Sequence, residues 1–113
     1  MAMGRVRPGA YAIVLVTCGT RREADRIAKA VVGARLAACV NVLEAPARSV
    51  YRWHKKVEQA REFLLLIKTT KKRLKELEAE VRRRHSYKVP EFIAIPLVGG
   101  SEPYLAWVAE SCA

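Results

Sequence analysis

Two separate stretches of this chain repeat one order of signals: an apolar strand, a threonine at a helix start, an amphipathic helix and a second strand. The first stretch runs from Tyr11 to Thr20, through a helical pattern, and out over residues 37–43. The second runs from Glu62 to Thr70, through another helical pattern, and out over residues 92–98. Two β-α-β units in one short chain predict an α+β, ferredoxin-like split βαβ sandwich. At 113 residues the chain can build one modest core and is too short for two. Residues 1–10 read as a flexible N-terminal extension and residues 11–113 as a single domain.

Local chemistry fills in the elements. Thr20 and Glu23 have the spacing of a capping box, in which each side chain satisfies a free backbone N–H at the helix start. Ala24, Ile27, Ala28, Val31 and Val32 then form an apolar stripe, and Gly33 marks the helix end. The second helix starts after Thr69 or Thr70, with Leu74, Leu77 and Val81 inward. Its wet face pairs Glu78 with Arg82 and Glu80 with Arg84. Arg82, Arg83, Arg84 and His85 close it, where cations complement the negative helix end. Residues 49–57 read as the tip of a long hairpin between the second and third expected strands, with Tyr51 and Trp53 on one side. A short C-terminal helix follows Gly99 and Gly100, with Pro103 in its first turn and Leu105 and Val108 inward.

Strands 11–16 and 63–67 are apolar at nearly every position, although helices can cover only one face of such a sheet. Both faces therefore need burial, which predicts an obligate homo-oligomer with its sheets turned inward. The net charge of +10 would attract phosphates or nucleic acid, but acidic residues are interspersed with the basic ones, as on a solvated surface. Three widely spaced cysteines fit a reducing, cytoplasmic setting better than a disulfide framework. The run Leu15-Val16-Thr17-Cys18 is too short for a lipoprotein signal, and no membrane span is read.

Five ordered segments carry a resemblance: Leu36-Ala-Ala-Cys-Val-Asn41, Ser49-Val-Tyr-Arg-Trp53, Ile67-Lys-Thr-Thr70, His85-Ser-Tyr-Lys-Val-Pro-Glu91 and Tyr104-Leu-Ala-Trp107. Together they resemble the CutA divalent-cation tolerance family from about Tyr11 to Ser111. The resemblance implies a compact trimer, a fold similar to the nitrogen-regulatory signalling proteins, and a link to copper tolerance. In animal members it implies a link to acetylcholinesterase anchoring. No established reaction comes with it. The family's proposed metal ligands include a cysteine near the end of the first strand. Counting back from Leu36-Ala-Ala-Cys39 puts Val16 there, and alternation leaves Cys18 on the same side as a substitute.

The candidate site residues each carry two readings. His85, Tyr87, Pro90 and Glu91 form the most site-like group. Imidazole and carboxylate suit divalent copper or zinc, and a thiolate suits monovalent copper, so the candidate metal set is His85, Glu91 and Cys18. Alternatively, Tyr87 and Pro90 shape the approach to the last strand and His85 caps a helix. Asn41, read as a buried amide, needs a partner from a neighbouring chain or a ligand. Lys68 interrupts an apolar strand and pairs with a carboxylate, Glu91 being the candidate, or binds an anion. Tyr51, Trp53 and Trp107 anchor subunit contacts or stack on a ligand. The candidate ligand cleft is thus Asn41, Tyr51, Trp53, Lys68, Tyr87, Pro90 and Trp107. Cys39 reads as packing, and Pro96 as an edge position.

Other functions on this fold lack their residues. An RNA-binding sheet would show aromatics where Leu64, Leu65 and Leu66 stand. Cys18-Gly19-Thr20-Arg21 is no acyl-phosphatase loop, and no nucleophile pair is recognisable. The expectation is a non-catalytic homotrimer of the cytoplasm that binds Cu(II) or another divalent cation weakly, or a small ligand, at intersubunit clefts, in metal tolerance or response. No specific nucleic acid and no membrane are expected as partners. The alternative is a trimeric scaffold or signalling protein with no direct metal role.

Overall fold

The computed structural model describes residues 9–113, so the extension expected over 1–10 falls, for residues 1–8, outside the described residues. Its elements are β1 (Tyr11–Cys18), α1 (Arg21–Gly33), β2 (Cys39–Val42), β3 (Ala47–Trp53), β4 (Lys56–Thr70), α2 (Leu74–Arg84), β5 (Ile93–Pro96) and α3 (Glu102–Ser111). A 3-10 turn over Lys71–Arg73 leads into α2. The strands order as β2-β4-β1-β5, all antiparallel, with β3 extending β4 into a ribbon. The two β-α-β units thus interleave, each lending one central strand, which is the ferredoxin-like arrangement.

The core lies between the sheet and the helix pair α1 and α2. Val14, Val16 and Cys18 of β1 and Leu65 and Ile67 of β4 meet Ala24, Ile27 and Val31 of α1 and Leu77 and Val81 of α2, all fully buried. Strand alternation turns Ile13, Leu15 and Leu66 to the opposite face, where Leu15 stands across from Leu66 and Ile93, and Ile13 across from Ile95. Among the described residues nothing covers that face fully, and Ile93 and Ile95 are 49% and 42% exposed. The apolar character of both faces is as the sequence predicts; only one of them has helices over it. α3 closes one end of the sheet, its Val108 and Cys112 packing with Ala38 and Tyr11.

Several local details depart from expectation. Thr20 Oγ1 accepts the Glu23 N–H at 3.1 Å, but this is only half a capping box, because the Glu23 carboxylate is buried inside the protein. The left-handed residue after α1 is Arg35 (φ 62°), not Gly33. Its guanidinium donates to the Glu110 and Ala113 carbonyls at 2.6 and 3.0 Å, tying the end of α1 to α3. Val32 is exposed, off the apolar stripe. On α2, Glu80 holds both Arg83 and Arg84, while no Glu78–Arg82 bridge forms among the described residues.

The hairpin turn is made by His54 and Lys55, both left-handed (φ 50° and 68°), between the paired Trp53 and Lys56. A two-residue turn of this kind matches the right-handed strand twist, which is why two non-glycine residues adopt it here. β4 runs for 15 residues and carries the ribbon past the helices, giving a molecule of 46 × 25 × 24 Å. Pro96 ends β5 at the sheet edge, where its missing N–H breaks no ladder. No described helix is long and apolar enough to cross a membrane.

Candidate functional site

Three elements bring ligand-type side chains together under the end of β1. Cys18 is its last residue, with alternation turning the thiol inward. Glu23 sits in the first turn of α1, four residues before Ile27 and eight before Val31, so the helix period carries its carboxylate to the buried stripe. His85 leaves the end of α2 in an extended conformation (φ −82°, ψ 140°), which returns its ring to the core. Ligand atoms of Cys18, Glu23 and His85 lie within 4.8 Å of one another, all three residues buried.

The protons of this cluster are constrained by its neighbours. His85 Nε2 lies 2.7 Å from the Thr17 carbonyl and therefore donates to it, while Nδ1 accepts the Tyr87 N–H at 3.0 Å. Those two partners assign the neutral, Nε2-protonated tautomer. Glu23 Oε2 accepts the Ser86 N–H at 2.9 Å. Its other oxygen, Oε1, is buried without a hydrogen-bond partner among the described residues, 3.7 Å from His85 Nδ1. Burial first, then the charges of Glu23 and Glu62, push the Cys18 thiol up to about 12, so it stays protonated at neutral pH.

A sulfur, a nitrogen and an oxygen suit copper or zinc, and the orphaned Glu23 Oε1 is an open donor aimed into the cluster. A bound cation would draw the proton from Cys18 by its own charge. At His85 it must displace a hydrogen bond. The donor set fits a borderline cation on those terms.

Beside the cluster lies a cavity of about 760 Å³. Tyr51 and Trp53 of β3, Glu62 of β4, and Tyr87, Pro90 and Glu91 of the segment after α2 line it. The Tyr87 hydroxyl donates to Glu62 Oε2 at 3.1 Å, and Glu62 is only 8% exposed. Desolvation, followed by Glu62, pushes that hydroxyl up to about 12, and it raises the Glu91 carboxyl for the same two reasons. A Cβ at position 19 would stand 3.0 Å from the Tyr87 oxygen, so a side chain there would press on the hydroxyl and shift it by a few tenths of an ångström.

Of the expected metal set, Cys18 and His85 meet; the carboxylate beside them is Glu23, and Glu91 lies in the cavity with Glu62. Of the expected cleft, Tyr51, Trp53, Tyr87 and Pro90 converge. Asn41 and Lys68 stand instead on the bare face of the sheet, where Lys68 Nζ donates to Asn41 Oδ1 rather than to Glu91. Asn41 is exposed in the single chain, not a buried amide, because β2 is short and none of the described residues packs over it. Trp107 is on α3 against Tyr104, ring centroids 5.5 Å apart. Sequence reasoning missed Glu23 and Glu62. Glu23 had a visible signal, its four-residue spacing to Ile27 and Val31.

The CutA1 divalent ion tolerance protein family model matches residues 12–111. Over 99 residues the chain is 42% identical to the divalent-cation tolerance protein CutA of Thermus thermophilus, covering 88% of this chain and 95% of that one. It is 44% identical over 101 residues to mouse protein CutA, covering 89% of this chain and 56% of the longer mouse protein. The structure of the periplasmic divalent cation tolerance protein CutA from Archaeoglobus fulgidus superposes with a TM-score of 0.88 at 36% identity, over 91% of this chain and 99% of that one.

Proposed function

The chain belongs to the CutA1 divalent ion tolerance family, and from that premise we propose that it is a homotrimeric metal tolerance or response protein, binding a divalent cation such as copper, or a small ligand, at clefts between subunits. It catalyses nothing in this reading. The observation that carries it is the Cys18–Glu23–His85 cluster with its unpartnered Glu23 Oε1, set behind the cavity walled by Tyr51, Trp53, Tyr87, Pro90 and Glu91. Glu23 takes the carboxylate position, with Glu91 and Glu62 as acidic groups on the approach. The bare apolar face around Ile13, Leu15, Leu66 and Ile95 supports the trimer. Three free thiols support a reducing, cytoplasmic compartment. The +10 charge is assigned to solvation, with no specific nucleic-acid partner.

The test is a Cu(II) and Zn(II) titration of the purified protein, with mass read by light scattering. Cation binding should fall about tenfold in His85→Ala, while the trimer mass stays, since one nitrogen ligand is removed from a buried set. One observation favours the second reading, a trimeric scaffold or signalling protein without a metal role: both His85 nitrogens are already hydrogen-bonded. Unchanged affinity in His85→Ala would decide for that reading.

A further inference from the structure

We infer that His85 and Tyr87 join the buried cluster and the cavity into one device, in which a cation on His85 Nδ1 displaces the Tyr87 backbone amide and moves the cavity wall. The inference rests on the cluster being the cation site. Of the two imidazole nitrogens, Nε2 is bonded to the carbonyl of Thr17, a β1 residue paired with Leu64 of β4. Nδ1 is bonded to an amide in the irregular segment after α2, and it is the nitrogen 3.7 Å from the orphaned Glu23 Oε1. A cation bridging Glu23 and His85 therefore takes the Nδ1 lone pair. An N–H donor and a metal ion cannot share one lone pair.

The segment that must give way is anchored in three places. Ser86 N donates to Glu23 Oε2, Tyr87 N to His85 Nδ1, and the Tyr87 hydroxyl to Glu62. The first two bonds end on the proposed ligands themselves. The third ends on the cavity. When the cation removes the second anchor, and competes for the first, the wall formed by Tyr87, Pro90 and Glu91 is freed to move. By linkage, a ligand in the cavity that holds Tyr87 in place weakens the cation by the same factor that the cation weakens it. Tyr87 acts here as a positioning residue, not as a ligand.

Hydrogen exchange read by mass spectrometry on the whole protein, with and without Zn(II), tests this directly. Amides of residues 86–91 should exchange faster when Zn(II) is bound, against the protection that cation binding brings elsewhere. Tyr87→Phe keeps the ring and amide but releases Glu62, so it should bind Zn(II) about fivefold more tightly, the equivalent of one modest hydrogen bond. A merely structural tyrosine would leave affinity unchanged or reduce it. If Zn(II) binds through His85, as its loss in His85→Ala reports, yet exchange over 86–91 does not rise and Tyr87→Phe binds no tighter, the coupling is overturned and the site stands. Zn(II) affinity that survives in His85→Ala removes the site and the coupling together. Should Tyr87→Phe fail to fold, exchange in the unaltered chain decides.

Discussion

Glu80 is the residue on α2 that pairs most heavily: Arg84 and Arg83 both donate to it, and these hydrogen bonds hold its carboxyl below the ordinary range. A depressed carboxyl contributes stability that is present above its unfolded value and is lost as pH falls through the folded one. Thermal unfolding followed by circular dichroism should therefore show a small loss, about 0.5 kcal/mol, between about pH 5 and pH 3. Glu80→Gln should lack that part of the slope. An identical slope in the variant would mean that the pair adds nothing in solution. Glu23 teaches the converse lesson about legibility. Read as the far end of a capping box it belongs to water, and the Thr20 half of that box is real. The period of the helix was the stronger signal, since Glu23, Ile27 and Val31 fall on one line and all three are buried. Two local rules pointed opposite ways, and burial against His85 and Ser86 settled them.

At the level of elements, the β3–β4 turn stores backbone strain that an ordinary hairpin would assign to Asn-Gly. Replacing Lys55 by glycine should raise stability by about 1 kcal/mol, because a side chain in the left-handed region costs that much. The measurement is the midpoint of chemical denaturation. A lower midpoint would show that the Lys55 side chain does more than its backbone loses. The elements themselves were readable in advance, because the continuous apolar runs of 11–16 and 63–67 and the 3.6 period of 24–31 are written plainly. Their ends were less so. The helix stop at Gly33 passes its left-handed turn to Arg35, whose guanidinium finds the Glu110 carbonyl of α3 and the Ala113 carbonyl beyond it, which no local pattern could announce. β4 likewise begins at Lys56, seven residues before the apolar run, because pairing with β3 rather than hydropathy defines it.

For the whole molecule, the decisive surface is the bare side of the sheet. Ile95 is half exposed on an edge strand, so a charge there is tolerable in one chain but not between chains. Under the trimeric reading, Ile95→Glu should shift the light-scattering mass from trimer to monomer, removing about 2 kcal/mol per subunit of apolar burial and adding a buried charge. A trimer that persists in this variant would place the interface elsewhere. The site was only partly legible because it is tertiary: Cys18 and His85 are 67 residues apart in the chain, Tyr87 meets Glu62 across 25, and neither Asn41 nor Lys68 signals in sequence that it stands on the other side of the sheet. Residue types could nominate candidates; only the fold could sort them into a cluster, a cavity and an interface.

Among the described residues the outer half of β4 has β3 alone beside it, and a two-stranded ribbon by itself in water is marginal. Under the trimeric reading, such a ribbon becomes ordered only on meeting another chain. Acquiring structure and acquiring neighbours then become one kinetic event: refolding quickens as protein concentration rises, and chains already assembled trade places with newcomers slowly, because each departure must first strip the ribbon bare.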